Sequence, residues 1–380
     1  MRIVYCSTPS FADCDAPLLK AFCALGHEVH YFLHIAPYSY RTTLVDIRKP
    51  KSDFGIFSIQ EFDDLAALQA YMPGVKFYFV NNPDGKNNIK AFKLSCEEET
   101  LIRTINPDVL QYVETPAPFR LSLLWTFRER AVCTIHDPVP HLNRMKVVER
   151  VCRYFASCFV RKFVLLNNRQ TEEFCRIFHV DPSKIHYSSL GPYPCLFESA
   201  EAPYPEGRYI LIFGRITPYK GIELGIAAMD DVARKFPDVT LIVAGSGSIY
   251  FDKALYEGKP YIKIINRFIP VEEQAALIRH SLFVLCPYTE ATQSGVVQTA
   301  FGLGTPVVVT DVGALADAVD DARTGVVVKD KGSAAIADAI GKLLEDETAL
   351  KRMRANISAD NKGQRAWLCI AEKYLEVYNG

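Results

Sequence analysis

One pattern constrains this chain more than any other. Short runs of β-branched and aromatic residues alternate with helix-length amphipathic segments over almost all of its 380 residues. Parallel strands need a crossover that packs back on the sheet, so the alternation predicts βα units and an α/β fold. In the first half it predicts strands over Arg2 to Tyr5, His27 to Phe32, Val75 to Val80, Val109 to Val113, Val132 to Ile135, Phe163 to Leu166 and Ile185 to Ser188, with helices over Ala16 to Leu25 and Glu97 to Ile105. The periodicity then stops in GPYPCLFESAEAPYPEG, which carries Pro192, Pro194, Pro203 and Pro205 and reads as a linker. It restarts with strands at Tyr209 to Phe213, Val239 to Ala244, Ile262 to Ile265, Leu282 to Cys286, Pro306 to Thr310 and Val326 to Val328, and helices at Gly221 to Phe236, Val271 to His280 and Ser294 to Phe301. The expected organisation is a doubly wound domain over 1–190, a linker over 191–207 and a second over 208–364. Ligands of such sheets bind at the carboxyl ends of the strands, so a cleft between two such ends is the expected place for a site.

Composition excludes several function classes. The formal charge is −1, from 43 Lys and Arg against 44 Asp and Glu, so no global basic field gathers nucleic acid, and no nucleic-acid partner is expected. The 11 cysteines include no C-x-x-C pair, which suits a reducing cytoplasm better than a disulfide framework or a metal knuckle. The N-terminal MRIVYCSTPS lacks the apolar core of a signal peptide, and no stretch reaches the roughly 18 apolar residues of a membrane span. The expectation is a cytoplasmic protein, at most peripheral on the inner face of the membrane.

Two segments carry chemistry. In FGRITPYKG, Phe213 to Gly221, a buried strand ends at Gly214, and Arg215 and Lys220 stand in a loop that opens a helix. An Arg fork, a compact ammonium and helical N–H groups suit a diphosphate; the other reading is a surface loop with two solvated cations. In PYTEATQSGVVQTAFGLGTPVVVTDVG, Pro287 to Gly313, a strand ends at Cys286 and a turn holds Glu290, Gln293 and Ser294 before a helix begins near Gly295. Glu290 and Gln293 can bond sugar hydroxyls there, and Ser294, Gly295 and Val296 can offer N–H groups to an anion; equally, Ser294 caps the helix and Glu290 is a solvated acid.

Taken together, these segments resemble the retaining glycosyltransferases of family 4, which have the GT-B fold of two Rossmann-like domains facing across a cleft. The resemblance runs through GR, KG, LIVAGSG, the acidic strand-to-helix turn, GTPVVVTDVGA and TGVVV, and more weakly through MRIVYCS, GHEVHYF, NPDVLQYVE and VCTIHD. It implies that Arg215 and Lys220 grip the diphosphate of a nucleotide sugar. It also implies that Glu290, the first Glu of the Glu-x7-Glu motif, faces the donor sugar, with Gln293, Ser294, Gly295 and Val296 cradling sugar and phosphate. His136, in TIHD, is implied near the donor sugar from the first domain, Gly245 in the nucleotide pocket and Arg267 near the base. The resemblance further implies that the last segment, 365–380, packs back on the first domain, so that two crossings form a hinge.

The sequence departs from that pattern in places. Gln298 stands eight positions after Glu290 where the family has its second Glu, and counting back from Gly304-Thr305-Pro306 would put Thr299 in that slot. The usual Gly-Gly after the first strand is replaced by CSTPSFADCD, in which Ser10 and Phe11 are the acceptor-side candidates. Asp13-Cys14-Asp15 spells a D-x-D, but it opens the first predicted helix, where acids favour the dipole and cap N–H groups, so no metal site is expected. Gly245-Ser246-Gly247 resembles a dinucleotide fingerprint only in part, since Tyr250 stands where the third Gly belongs.

The segment 141–163 carries Arg144, Lys146, Arg150, Arg153, Arg161 and Lys162 against Glu149, with Val147, Val148, Val151, Tyr154, Phe155 and Phe159 at helical spacing. It reads either as a helix lying on an anionic membrane or as a core helix with a solvated basic rim. The activity expected from the resemblance is retaining transfer of a hexosyl unit from GDP-mannose or a UDP-sugar to a saccharide or lipid-linked saccharide in surface polysaccharide synthesis, with no metal or other cofactor. A sugar-nucleotide epimerase and a non-catalytic nucleotide-sugar-binding scaffold are the alternatives.

Overall fold

The computed structural model describes residues 1–139, 147–193, 204–291, 294–362 and 367–380. The chain divides into two compact units, one of Met1–Gly191 with Trp367–Gly380 and one of Pro192–Ala366. Among the described residues, eight strands form one sheet and six the other.

In the first unit the strands are β1 (Arg2–Ser7), β2 (Glu28–Ile35), β3 (Gly55–Phe57), β4 (Val75–Asn81), β5 (Val109–Val113), β6 (Ala131–Ile135), β7 (Lys162–Leu165) and β8 (Ile185–Tyr187), in the order β3-β4-β2-β1-β5-β6-β7-β8. All pair in parallel except β3, which runs antiparallel to β4 at the edge. The helices are α1 (Ala12–Ala24), α2 (Ala66–Tyr71), α3 (Ile89–Ile105), α4 (Leu121–Thr126), α5 (Val147–Phe159) and α6 (Thr171–Phe178). The helix expected from Glu97 begins at Ile89 instead, because the Asn88 side chain caps it by accepting from the N–H groups of Lys90 and Ala91.

The second unit has β9 (Arg208–Phe213), β10 (Val239–Gly245), β11 (Ile262–Asn266), β12 (Val284–Cys286), β13 (Val307–Thr310) and β14 (Gly325–Val328), all parallel in the order β11-β10-β9-β12-β13-β14. Its helices are α7 (Ile222–Lys235), α8 (Val271–His280), α9 (Gly295–Gly302), α10 (Ser333–Glu345) and α11 (Glu347–Lys362). The strands read as unbroken apolar runs because both faces are covered. In β9, Ile210 and Ile212 join the core under α7 and α10, while Tyr209 and Leu211 join the core under α8 and α9. The strand order reverses between β9 and β12, and between β1 and β5 in the first sheet, so each unit has a switch point at the carboxyl ends of those strands.

The last helix, α12 (Trp367–Asn379), packs against α1. Tyr374 and Tyr378 meet the Phe22 ring with centroids 6.3 and 5.8 Å away, and their hydroxyls bond Thr134 Oγ1 at 3.1 Å and Gln111 Oε1 at 3.0 Å. Residues 365 and 366 and linker residues 194–203 lie outside the described residues.

The Asp13-Cys14-Asp15 segment opens α1 as expected but does not cap it. Asp15 is wholly buried and accepts hydrogen bonds from the hydroxyls of Tyr5 at 2.8 Å and Tyr31 at 3.0 Å. Burial pushes the Asp13 and Asp15 carboxyls up to about 7.

The basic segment 141–163 also differs from expectation. Residues 141–146, with Arg144 and Lys146, lie outside the described residues; α5 ends at Phe159, and Lys162 and Phe163 belong to β7. Its cations do not form one rim. Arg153 points inward and is 3% exposed, while Arg161 and Lys162 donate to the carbonyls of Gly380 and Val377 at the end of α12, where cations favour the helix dipole. The small residues Cys152, Ala156 and Ser157 face the core, and Val147, Val148, Val151, Tyr154 and Phe155 are 42–79% exposed. No helix among the described residues is long and apolar enough to cross a membrane.

Candidate functional site

In the second unit the switch point brings together the loops after β9 and β12. The backbone leaves β9 through Gly214, whose φ is +102°, and a Cβ there would come within 2.7 Å of Lys220 Nζ. Gly221 starts α7 at φ +56°, and a Cβ would land on the Pro287 carbonyl oxygen; glycine is what lets the two loops touch. Tyr219 O accepts from Thr289 N at 2.8 Å, tying them further.

Lys220 is the electrostatic centre of this arrangement. Its residue is 4% exposed, and Nζ donates to Phe213 O and to the Tyr288 hydroxyl, both at 3.0 Å, lying 5.0 Å from the centroid of the Tyr288 ring. Its hydrogen-bond partners are neutral. Burial, with a smaller contribution from the Arg215 charge, pushes its ammonium down to about 8. Arg215 is exposed and makes no hydrogen bond or ion pair within the described residues. A buried ammonium without a counter-charge is costly, so this pocket favours an anion that supplies one.

Across from it, Ser294 caps α9 by accepting from Val297 N at 3.4 Å. The N–H groups of Gly295 and Val296 have no partner within the helix, as at any helix start, and Val296 Cγ2 would lie 3.4 Å from a Cβ on Gly214. Glu290 is exposed on the turn after β12; Gln293 lies outside the described residues. Gln298 is 7% exposed, one turn into α9, and the Thr299 hydroxyl donates to Gly295 O at 2.8 Å within the same helix. Gly245 ends β10 against Gly214, whose N–H donates to Ala244 O at 3.0 Å. Arg267, half-exposed in the loop before α8, is bonded to both carboxylate oxygens of Glu273 in the first turn of that helix, at 2.8 and 2.5 Å.

In the first unit His136 follows β6. Its ring packs on Phe11 with centroids 4.4 Å apart and the planes tilted by 32°, and Nε2 lies 3.8 Å from Cys14 Sγ. Burial pushes the imidazole down to about 3, so it is neutral at physiological pH. Ser10 is exposed beside Phe11 in the short turn before α1. No sequence pattern points to Tyr288 as the partner of Lys220 or to Glu114 as the partner of Arg153. Tyr288 stood in the quoted run PYTE, but a neutral hydroxyl carries no pattern; Glu114 and Arg153 are 39 residues apart and had no signal linking them.

Among the described residues, Cys6, His34 and Glu98 offer atoms within 4.8 Å of one another that could hold a metal. Glu98 is already bonded through both oxygens, to His34 Nε2 at 2.6 Å and Arg120 Nε at 2.9 Å, which makes the cluster an internal ion network.

A family model described as glycosyl transferases group 1 matches residues 207–346, the stretch that contains the switch-point site. The chain is 26% identical over 59% of its length to an uncharacterized glycosyltransferase of Methanocaldococcus jannaschii, and 35% identical over 47% of its length to a D-inositol 3-phosphate glycosyltransferase of Nocardia farcinica. It spans 60% and 42% of the lengths of these two relatives. Its fold matches a sucrose-phosphate synthase from Thermosynechococcus elongatus, with a TM-score of 0.67 at 17% identity over 100% of this chain and 98% of that one. It also matches the Anabaena protein HepE in complex with UDP-glucose, with a TM-score of 0.64 at 13% identity over 100% and 99%. The chain thus has the GT-B fold, and residues 207–346 of its second unit match the domain of the group 1 glycosyltransferases.

Proposed function

We propose that this protein transfers a hexosyl unit from a nucleoside diphosphate sugar to an acceptor hydroxyl, with retention at the anomeric carbon. The observation that carries the reading is Lys220, a buried ammonium with neutral partners at the switch point of a doubly wound sheet. A diphosphate supplies the missing counter-charge; Arg215 adds a fork and the start of α9 adds N–H donors. As the glycosidic bond breaks, negative charge grows on the departing phosphate oxygen, and these groups are preorganised to stabilise it, the role a metal plays elsewhere. Glu290 faces the sugar hydroxyls, and neutral His136 orients groups near the anomeric centre. Support for a nucleotide-sugar donor also comes from the UDP-glucose named with HepE. GDP-mannose and UDP-sugars are the donors to examine first, with saccharides and lipid-linked saccharides as acceptors.

The test is a thermal-shift screen of purified protein against UDP, GDP, ADP and their sugar conjugates with chelator present. One nucleotide series raises Tm, because ligand at 100 times its Kd stabilises by about 2.7 kcal/mol. No shift with any of them overturns the reading. Transfer follows as product that appears only when acceptor is added; product without acceptor points to an epimerase.

The same reading places α5 on an anionic bilayer. Its outward Val147, Val148, Val151, Tyr154 and Phe155, with exposed Arg150 among them, match the apolar and cationic demands of such a surface. The protein is expected to co-sediment with phosphatidylglycerol vesicles and not with phosphatidylcholine alone. Val151→Ser with Phe155→Ser reduces that binding about tenfold or more, since a fully buried apolar side chain is worth roughly 1.5–3 kcal/mol. Unchanged binding removes α5 from the contact.

A further inference from the structure

Glu114 stands at the exit of β5 with φ at +64°, a conformation uncommon for a residue with a side chain. There its carboxylate reaches the exit of the neighbouring strand β6. Oε1 accepts the N–H of His136 at 2.7 Å and of Asp137 at 3.1 Å, and Oε2 accepts Arg153 Nη2 at 2.6 Å. Arg153 reaches in from α5, and its other nitrogens bond this turn and the exit of β5. Nη1 donates to Asp137 O at 2.8 Å and Pro138 O at 3.2 Å, and Nε donates to Thr115 Oγ1 at 2.8 Å. The guanidinium lies 5.6 Å from the centre of the Phe178 ring. The backbone of residues 136–138 is therefore held through its N–H groups by one side chain and through its carbonyls by the other.

A buried ion pair is a poor device for stability, since desolvation offsets much of its attraction, but it is a good one for fixing a position. What this pair fixes is the backbone from which the His136 ring hangs, packed at a tilt on Phe11 and against Cys14. We propose that Glu114 and Arg153 are positioning residues of the transfer site, which set the direction of the His136 imidazole by bracing the turn that carries it. This rests on the reading of His136 as a group that faces the donor sugar.

The test separates that reading from the proposal. The full chain is labelled at its eight histidines, and the His136 ring signal is assigned with His136→Asn. In the wild type this ring stays neutral from about pH 8 to 5, kept so by burial beside Cys14 and Phe11, whereas an unperturbed histidine titrates near 6.5. Arg153→Lys and Glu114→Gln keep a hydrogen-bonding group in place while loosening the brace. In both, the His136 signal is expected to move and to begin titrating in that window while the other histidines hold still. If both variants fold and the His136 signal is unchanged, the pair is structural only and the proposal is overturned.

The second arm is donor turnover in a double-mutant cycle. Arg153→Lys is expected to lower kcat about ten- to a hundredfold in the wild type, the scale of a misplaced group, and by less than about twofold in a His136→Ala background. Equal losses in both backgrounds overturn the proposal. Full activity of His136→Ala alone overturns the role of His136, and the ring signal still decides whether the pair positions it.

Discussion

Lys220→Met is expected to fold at least as stably as the wild type and to lose turnover by about a hundred- to a thousandfold, the scale set by removing one preorganised group that stabilises developing charge. The two halves of this result have one cause. Nζ sits in a pocket whose hydrogen-bond partners are a carbonyl and a phenol, and burial has pushed the ammonium from its ordinary value of 10.5 down to about 8. At neutral pH the folded chain therefore carries a charge that it holds less well than the unfolded chain does, and a methionine of similar reach relieves that cost. On the proposed function, a diphosphate satisfies the same unmet charge. A thermal melt and a donor-binding titration on the one variant decide the matter; a Tm well below wild type, or unchanged donor binding, contradicts it.

The depressed value also fixes a pH dependence with a definite sign. The folded state binds a proton at Lys220 only below about 8, the unfolded state up to 10.5, so this group makes the protein more stable as pH rises between the two. Bound diphosphate raises the value again. On the proposed function, nucleotide affinity is therefore expected to fall as pH rises through about 8, and binding at that pH to take up about half a proton, visible calorimetrically in two buffers of different ionisation enthalpy.

The legible parts of this chain are those governed by period and charge. Strands β9 and β10 announce themselves as apolar runs, and Arg215 and Lys220 stand out as paired cations where a strand gives way to a helix. Periodicity states which residues share a face but not which way the face turns. In α5 it groups Val147, Val151 and Phe155 correctly, yet the core takes the small Cys152 and Ala156 and leaves the large side chains outside. Charge has the same ambiguity. Arg153 looks like its exposed neighbour Arg150, and only the approach of Glu114 from a strand 39 residues away turns it inward. The three-residue β3 is too short to carry a period, and its place depends on pairing with β4. Tyr288 meets Lys220 as a neutral acceptor, and Arg267 pairs with Glu273; both are tertiary choices among side chains that the sequence merely makes available.

Glu98→Ala is expected to be the most destabilising single change in the first unit, about 3–5 kcal/mol, the cost of stripping a buried charge of its partner. Glu98 is 1% exposed on α3, with His34 Nε2 at 2.6 Å on one oxygen and Arg120 Nε at 2.9 Å on the other. Removing it strands the Arg120 guanidinium in the core, which no rearrangement of Tyr112 or Cys6 can neutralise. The acid limb of stability follows from the same contacts. Burial by itself raises the Glu98 carboxyl, but His34 and Arg120 outweigh it and hold the group down at about 2. Burial and the Arg120 charge hold the His34 imidazole below its ordinary 6.5. Both groups thus resist protonation in the fold more than in the unfolded chain. Stability is complete at neutral pH, declines as pH falls below 6.5 where unfolded His34 charges, and declines again from 4.5 toward 2 where unfolded Glu98 does. In Glu98→Gln the second decline loses the share that Glu98 contributes while the first persists. Urea melts of the two proteins between about pH 7 and 3 measure this directly, and parallel curves over the lower half of that range would show that Glu98 is not held as its contacts require.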